Sequence, residues 1–142
     1  MMDTLTSGNF LGQNLCKRGM EGLVISQTSY RSGVSEDWHS HENAHFSLIL
    51  EGGNKEMRKK QEVDAVPGTL LAYRSNEVHR NVNTQHPSSN INLEVESTFL
   101  LRYDLEEECL YTKENQDVQL AILKIYKECL LTRNPVSYAH SL

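Results

Sequence analysis

The chain has 142 residues, of which 38% are hydrophobic and 23% charged, with eight glycines and three prolines. That length makes one domain, and that composition excludes a disordered, collagenous or coiled-coil chain. With 14 Lys and Arg against 19 Asp and Glu, the net charge is −5, a field that does not hold phosphates, so this chain by itself is not expected to bind DNA.

The opening segment, MMDTLTSGNFLGQNLCKRG, has no apolar core behind a basic start, and nowhere do about 18 apolar residues run together. Neither a signal peptide nor a membrane span is expected. Cys16, Cys109 and Cys129 are odd in number and not closely spaced, which argues against a disulfide framework or a cysteine zinc site and fits a reducing cytoplasm.

From Gly22 to about Tyr103, short runs with β-branched or aromatic residues are broken by turn formers: LVISQTSY, HFSLILEGG, VPGTLLAY, and then a polar stretch from Asn83 to Asn90. This spacing predicts a small β-sandwich or barrel. In Ile91 to Glu96, strict alternation places Ile91, Leu93 and Val95 on one face of a half-buried strand. The run Lys55 to Glu62, with four basic and two acidic residues, reads as a solvated hairpin.

Beyond Asn115 the period becomes helical. Val118, Ala121, Ile122, Ile125, Tyr126, Cys129 and Leu130 share one face of a helix over about 115–132, with Asn115 as N-cap, Asp117 at the positive end of the dipole and Asn134-Pro135 as the stop. Leu120, Leu123 and Leu131 widen the apolar surface, so the helix packs on its own sheet or meets a partner helix. The tail from Val136 to Leu142, with no cap, reads as cut inside a further element.

The histidines carry the chemistry. His39 and His41 are two apart and project to the same side of an extended chain, which is what a chelate needs. His45 follows with matching parity, and His79 lies on a different predicted strand. Neutral imidazole is a good ligand for zinc, nickel, copper and iron, a β-barrel completes such a site from a second strand, and the ion expected here is a divalent zinc, nickel, manganese or iron. The alternative is a pocket of neutral histidines that hydrogen-bonds a polar ligand. Tyr30, Trp38, Phe46 and Tyr73 are candidates to line a bowl or to pack the core, and Arg74 to pair with an acidic effector or form a surface salt bridge. Glu42, Glu51, Glu77 and Asp37 read as solvated edge residues, and His86 and His140 as ordinary loop and tail histidines.

The spacing Gly33-x5-His39-x-His41-x3-His45-x6-Gly52 matches the first motif of the cupin superfamily, with His45 where that motif has Glu. Gly68-x5-Arg74-Ser75-Asn76-x2-His79-x3-Asn83 resembles the second, with Arg74 in place of Pro and Asn76 in place of Gly. The resemblance implies a mainly β fold, a cupin jelly-roll β-barrel with a C-terminal α-helix, and a divalent metal held by His39, His41, His45 and His79. The run from Trp38 to Gly53, the strand from Asn90 to Glu96 and the final helix resemble the N-terminal sensory domain of AraC/XylS-type transcription regulators.

That closer resemblance implies a cytoplasmic ligand-binding module. Residues 1–111 would form the sensory barrel around a motif core at 33–83, and 112–142 a linker and homodimerisation helix leading to DNA-binding units beyond this chain. It implies a small-molecule effector, DNA contact only through the missing units, no membrane and no catalysis, because four protein ligands close a tetrahedral ion. The competing reading is a stand-alone metal-dependent cupin enzyme of dioxygenase or isomerase type.

Overall fold

A computed structural model describes residues 2–33, 35–82, 87–112 and 114–131. Asn83, His86, the Asn134-Pro135 stop, and the tail with His140 lie outside the described residues. The chain forms β1 (Asp3–Leu5), β2 (Gln13–Met20), β3 (Leu23–Tyr30), β4 (His39–His41), β5 (Ala44–Glu51), β6 (Asn54–Arg58), β7 (Gln61–Ala65), β8 (Leu70–Tyr73), β9 (His79–Val82) and β10 (Ser88–Val95), then α1 (Ser97–Arg102), a 3-10 turn (Glu107–Tyr111) and α2 (Asn115–Tyr126), which runs into a π turn at Lys127–Leu131.

Two five-stranded sheets result, in the orders β1-β4-β9-β6-β7 and β2-β3-β10-β5-β8. All pairs are antiparallel except β1 with β4. No strand pairing joins the two sheets among the described residues, so the architecture is mainly β with a C-terminal helix, and the expected barrel closure is not seen. Gly52 and Gly53 let β5 turn into β6: both have positive φ, and a Cβ on Gly53 would lie 2.0 Å from the Ala65 carbonyl oxygen.

The second sheet has two chemically distinct faces. Leu23 and Ile25 of β3, Phe46 and Leu48 of β5, and Ile91, Leu93 and Val95 of β10 form one apolar surface, onto which α2 and its continuation pack Ile122, Ile125 and Cys129. The alternation expected for β10 is therefore correct, but its other face is not solvated. Asn90, Asn92 and Glu94 are buried too, because β10 lies between β3 and β5 with the first sheet across from its polar side. The Asn92 amide is satisfied there, accepting from Ser47 Oγ at 2.7 Å and donating to Thr28 Oγ1 at 3.1 Å. The larger hydrophobic cluster thus sits between sheet and helix, while between the sheets a smaller one, of Ile49, Leu71, Tyr73 and Ala65, lies beside the polar groups.

Several sequence expectations need correction. The first two strands were not expected, and the end of the stretch read as strands, Ser97–Arg102, forms α1. The N-cap of α2 is Glu114, without a side-chain cap bond, and Asn115 is the first helical residue. Lys55 to Glu62 is a hairpin, but not a solvated one throughout, since Glu56 is fully buried.

Candidate metal centre

β4 and β9 lie next to each other in the first sheet, with His39 opposite His79 in register. His41 shares the face of His39, so three imidazoles converge on the polar space between the sheets, each about 3% exposed. One nitrogen from each of His39, His41 and His79 lies within 4.8 Å of the others. His39 Nδ1 meets the Asp37 carbonyl at 2.9 Å and His79 Nδ1 meets the Glu77 carbonyl at 3.1 Å. These carbonyls accept a hydrogen bond from Nδ1–H, which leaves Nε2 as the lone-pair nitrogen, the usual outer support of a metal-binding histidine.

Burial holds all these rings neutral. Loss of hydration pushes His41 down to about 4 and His79 down to about 3, with neighbouring His39 adding to both shifts. His39 is lowered for the same first reason. A neutral imidazole keeps its lone pair, and His41 Nδ1 has no hydrogen-bond partner. Three uncharged nitrogen donors suit a divalent first-row ion, and the cluster is able to coordinate one.

His45 is not among the three histidines whose nitrogens lie within 4.8 Å of one another, but it lines the same cavity and its ring centroid is 4.5 Å from that of His41. It sits on β5 in the second sheet, opposite Tyr73 in register, and its ring stacks on Tyr73 at 4.3 Å, while the His79 ring centroid is 6.2 Å away. The His45 ring thus lies between His41 and an aromatic neighbour on its own sheet. Tyr30 and Tyr73 line the same cavity as the histidines. The other three expected ligand-binding residues do not. Phe46 belongs to the core under α2, Trp38 packs beneath the Arg80 guanidinium at 4.9 Å, and exposed Arg74 pairs with Glu108 and lies over Tyr111. Asn76 adopts the left-handed φ of 62° at the position where glycine is usual.

Two carboxylates were missed. Glu36 lines the cavity, accepts the Asn81 backbone N–H at 3.2 Å and is pushed up to about 7 by burial. Glu56, at 0% exposure, is pushed up to about 8 by burial, beside the Tyr73 hydroxyl and Arg58. Glu56 had a signal in the sequence: Asn54, Glu56 and Arg58 alternate with Lys55 and Met57, so three of the five share one face of a strand. Glu36 lies in no motif and no regular element.

No protein-family model matches the chain, and no curated protein matches it. Solved structures do. A cupin 2 conserved barrel domain protein from Salinispora arenicola aligns at 16% identity and TM-score 0.53 over 66% of this chain and 81% of that one. The DMSP lyase DddQ from Ruegeria pomeroyi aligns at 16% identity and TM-score 0.52 over 55% of this chain and 40% of that one. KdgF from Halomonas sp. aligns at 16% identity and TM-score 0.51 over 56% and 74% of the two chains.

The expectation of a non-catalytic chain is overturned. It rested on a closed set of four histidines, whereas the nitrogens that lie within 4.8 Å of one another come from three, on a fold shared with a lyase. Among the described residues no helix is long and apolar enough to cross a membrane. The strand order, the two histidine strands and these structural matches show that the chain has the cupin fold.

Proposed function

We propose that this chain is a metal-dependent cupin enzyme that moves a proton on a small substrate, in a reaction of lyase or isomerase type. The observation that carries the reading is the meeting of His39, His41 and His79 in one cavity with Glu36. The three histidines are the proposed ligands, and a divalent ion held there would supply Lewis acidity toward a substrate carbonyl. Glu36 is the proposed general base. Its carboxyl titrates near neutrality, where it both accepts and returns a proton, and the Asn81 N–H fixes its position. Tyr30 and Tyr73 orient the substrate, and His45 holds the Tyr73 ring by stacking.

Glu36 favours proton transfer over the dioxygenase form of this reading. DddQ is a DMSP lyase and shares the fold, but the match spans 40% of that chain, so its substrate is not carried over. The regulator reading, with 112–142 as a linker to DNA-binding units, gains nothing from the geometry, since α2 packs its apolar face on its own sheet.

The test begins with the purified protein, reconstituted with zinc, nickel, manganese and iron and passed through gel filtration. About one ion per chain is expected, lost in His41→Ala and in His79→Ala. NMR in D2O then follows C–H exchange in small hydroxy ketones and hydroxy acids. Glu36→Gln is expected to keep the metal and lose the exchange. Retention of no metal, or retention that survives both histidine substitutions, ends the reading.

A further inference from the structure

The same cavity has a second chemistry away from the histidines. Asn54 of β6, Asn81 of β9 and Asn90 of β10 line it together with Glu36. Strand parity explains their meeting. Asn81 is two residues from His79 and shares its face, Asn54 shares the face of Glu56, and Glu56 lies opposite Asn81 in register. Asn90 reaches in from the polar face of the second sheet.

The Oδ1 atoms of all three asparagines are buried and have no hydrogen-bond partner, and Asn90 is 5% exposed. Asn81 has its amide nitrogen engaged with Glu36, which leaves its oxygen as the free group. Glu56, buried behind these asparagines, has the Tyr73 hydroxyl as its hydrogen-bond partner and is not part of the cavity lining. Each buried acceptor left unmade costs about 1–3 kcal/mol, so a cluster of them is a standing demand for donors. No Lys or Arg lines the cavity among the described residues, and an anion there would meet acceptor oxygens and carboxyl groups. The free space in this partly open cavity is about 20 Å³, enough for one group of water size.

We propose that Asn54, Asn81 and Asn90 form a subsite for a hydrogen-bond-donating group of the ligand, a hydroxyl or an ammonium. The substrates are then small alcohols or amines at this end and not carboxylates or phosphates. Calling the ligand a substrate rests on the enzyme reading above; the subsite itself does not. Its selectivity follows from matched groups: a site built of acceptors rejects a ligand without donors because its own oxygens then stay unpaired.

The experiment uses the full chain, labelled with ¹⁵N, both metal-free and zinc-loaded, and follows the side-chain amide resonances of the three asparagines. The titrants are glycerol, methylammonium, formate, inorganic phosphate, sodium and calcium. Saturable shifts with glycerol or methylammonium below about 100 mM, and none with formate or phosphate, are expected. A response to glycerol alone assigns a hydroxyl, and a response to methylammonium alone assigns an ammonium.

Asn90→Leu is expected to weaken that binding at least about tenfold. Because this change lies in a central strand, Asn54→Ala at the edge of the hairpin is tested beside it, with the same direction expected. Shifts caused by formate or phosphate, saturation by sodium or calcium alone, or no response to either donor overturn the proposal. Donor binding that persists in a protein unable to retain zinc defeats the enzyme reading and leaves the subsite standing.

Discussion

Glu56 is an ionisable group placed where ionisation is unfavourable. It is fully buried, and burial pushes its carboxyl up to about 8 even with the Tyr73 hydroxyl and Arg58 beside it. Above that pH the folded chain must bury a charge that the unfolded chain leaves in water. Glu56→Gln keeps the shape and removes the charge. The variant is expected to match the wild type near pH 5 and to exceed it near pH 9 by roughly 1–4 kcal/mol, read by urea unfolding at each pH. A variant less stable than wild type at pH 9 would show that the carboxylate has a partner when ionised. The residue also marks a limit of sequence reading. His39, His41 and His79 were legible because alternation and type together imply a chelate, whereas a glutamate among lysines looks solvated until the strand's partner sheet is known.

At the scale of elements, the helix was legible and its role less so. The period that groups Val118, Ile122, Ile125, Cys129 and Leu130 is the face that meets the second sheet, though Ala121 is exposed. Packing decides the position of α2, since no side chain caps its start. Ile122→Ala removes a side chain with no exposed surface, at an expected cost of about 2–5 kcal/mol in a denaturant titration. Leu120, at 59% exposure, faces away. Leu120→Lys should change stability by no more than about 0.5 kcal/mol and leave the mass by light scattering unaltered. A fall in mass with Leu120→Lys would restore the partner-helix alternative. β10 shows the opposite limit: alternation located its apolar face, but the polar face is buried because a second polar wall lies across from it, and one strand's pattern does not contain that wall.

The whole molecule is two slabs sharing one sheet, an apolar slab under α2 and, between the sheets, a polar slab bordered by the smaller apolar cluster of Ile49, Leu71, Tyr73 and Ala65. The polar slab governs the acid–base behaviour of the metal-free protein. Burial lowers His39, His41, His45 and His79 from 6.5, to about 4 for His41 and about 3 for His79. Burial also raises Glu36, Glu56 and Glu94 from 4.5, to about 7, 8 and 7. Where the unfolded histidines take protons that the folded ones refuse, stability rises with pH. Where folded glutamates keep protons that unfolded ones release, it falls with pH, and each such group contributes a slope of about 1.4 kcal/mol per unit.

Between the two reference values, 4.5 and 6.5, both sets act and their slopes largely cancel. Below 4.5 the glutamates are protonated in both states, and the histidines alone make stability fall with added acid, down to the folded value of His79 at about 3. Above 6.5 the histidines are neutral in both states, and the glutamates alone make it fall with added base, up to the folded value of Glu56 at about 8. Urea midpoints of the metal-free protein at about pH 3.5, 5.5 and 8.5 are therefore expected to be highest at 5.5. Zinc should move the maximum upward, because it binds neutral imidazoles only and its stabilisation is lost in acid. A midpoint that climbs steadily from 3.5 to 8.5 without metal would mean that the carboxyl groups of the polar slab are paired, and that the inner wall of the cavity is not the donor-seeking surface its oxygens make it.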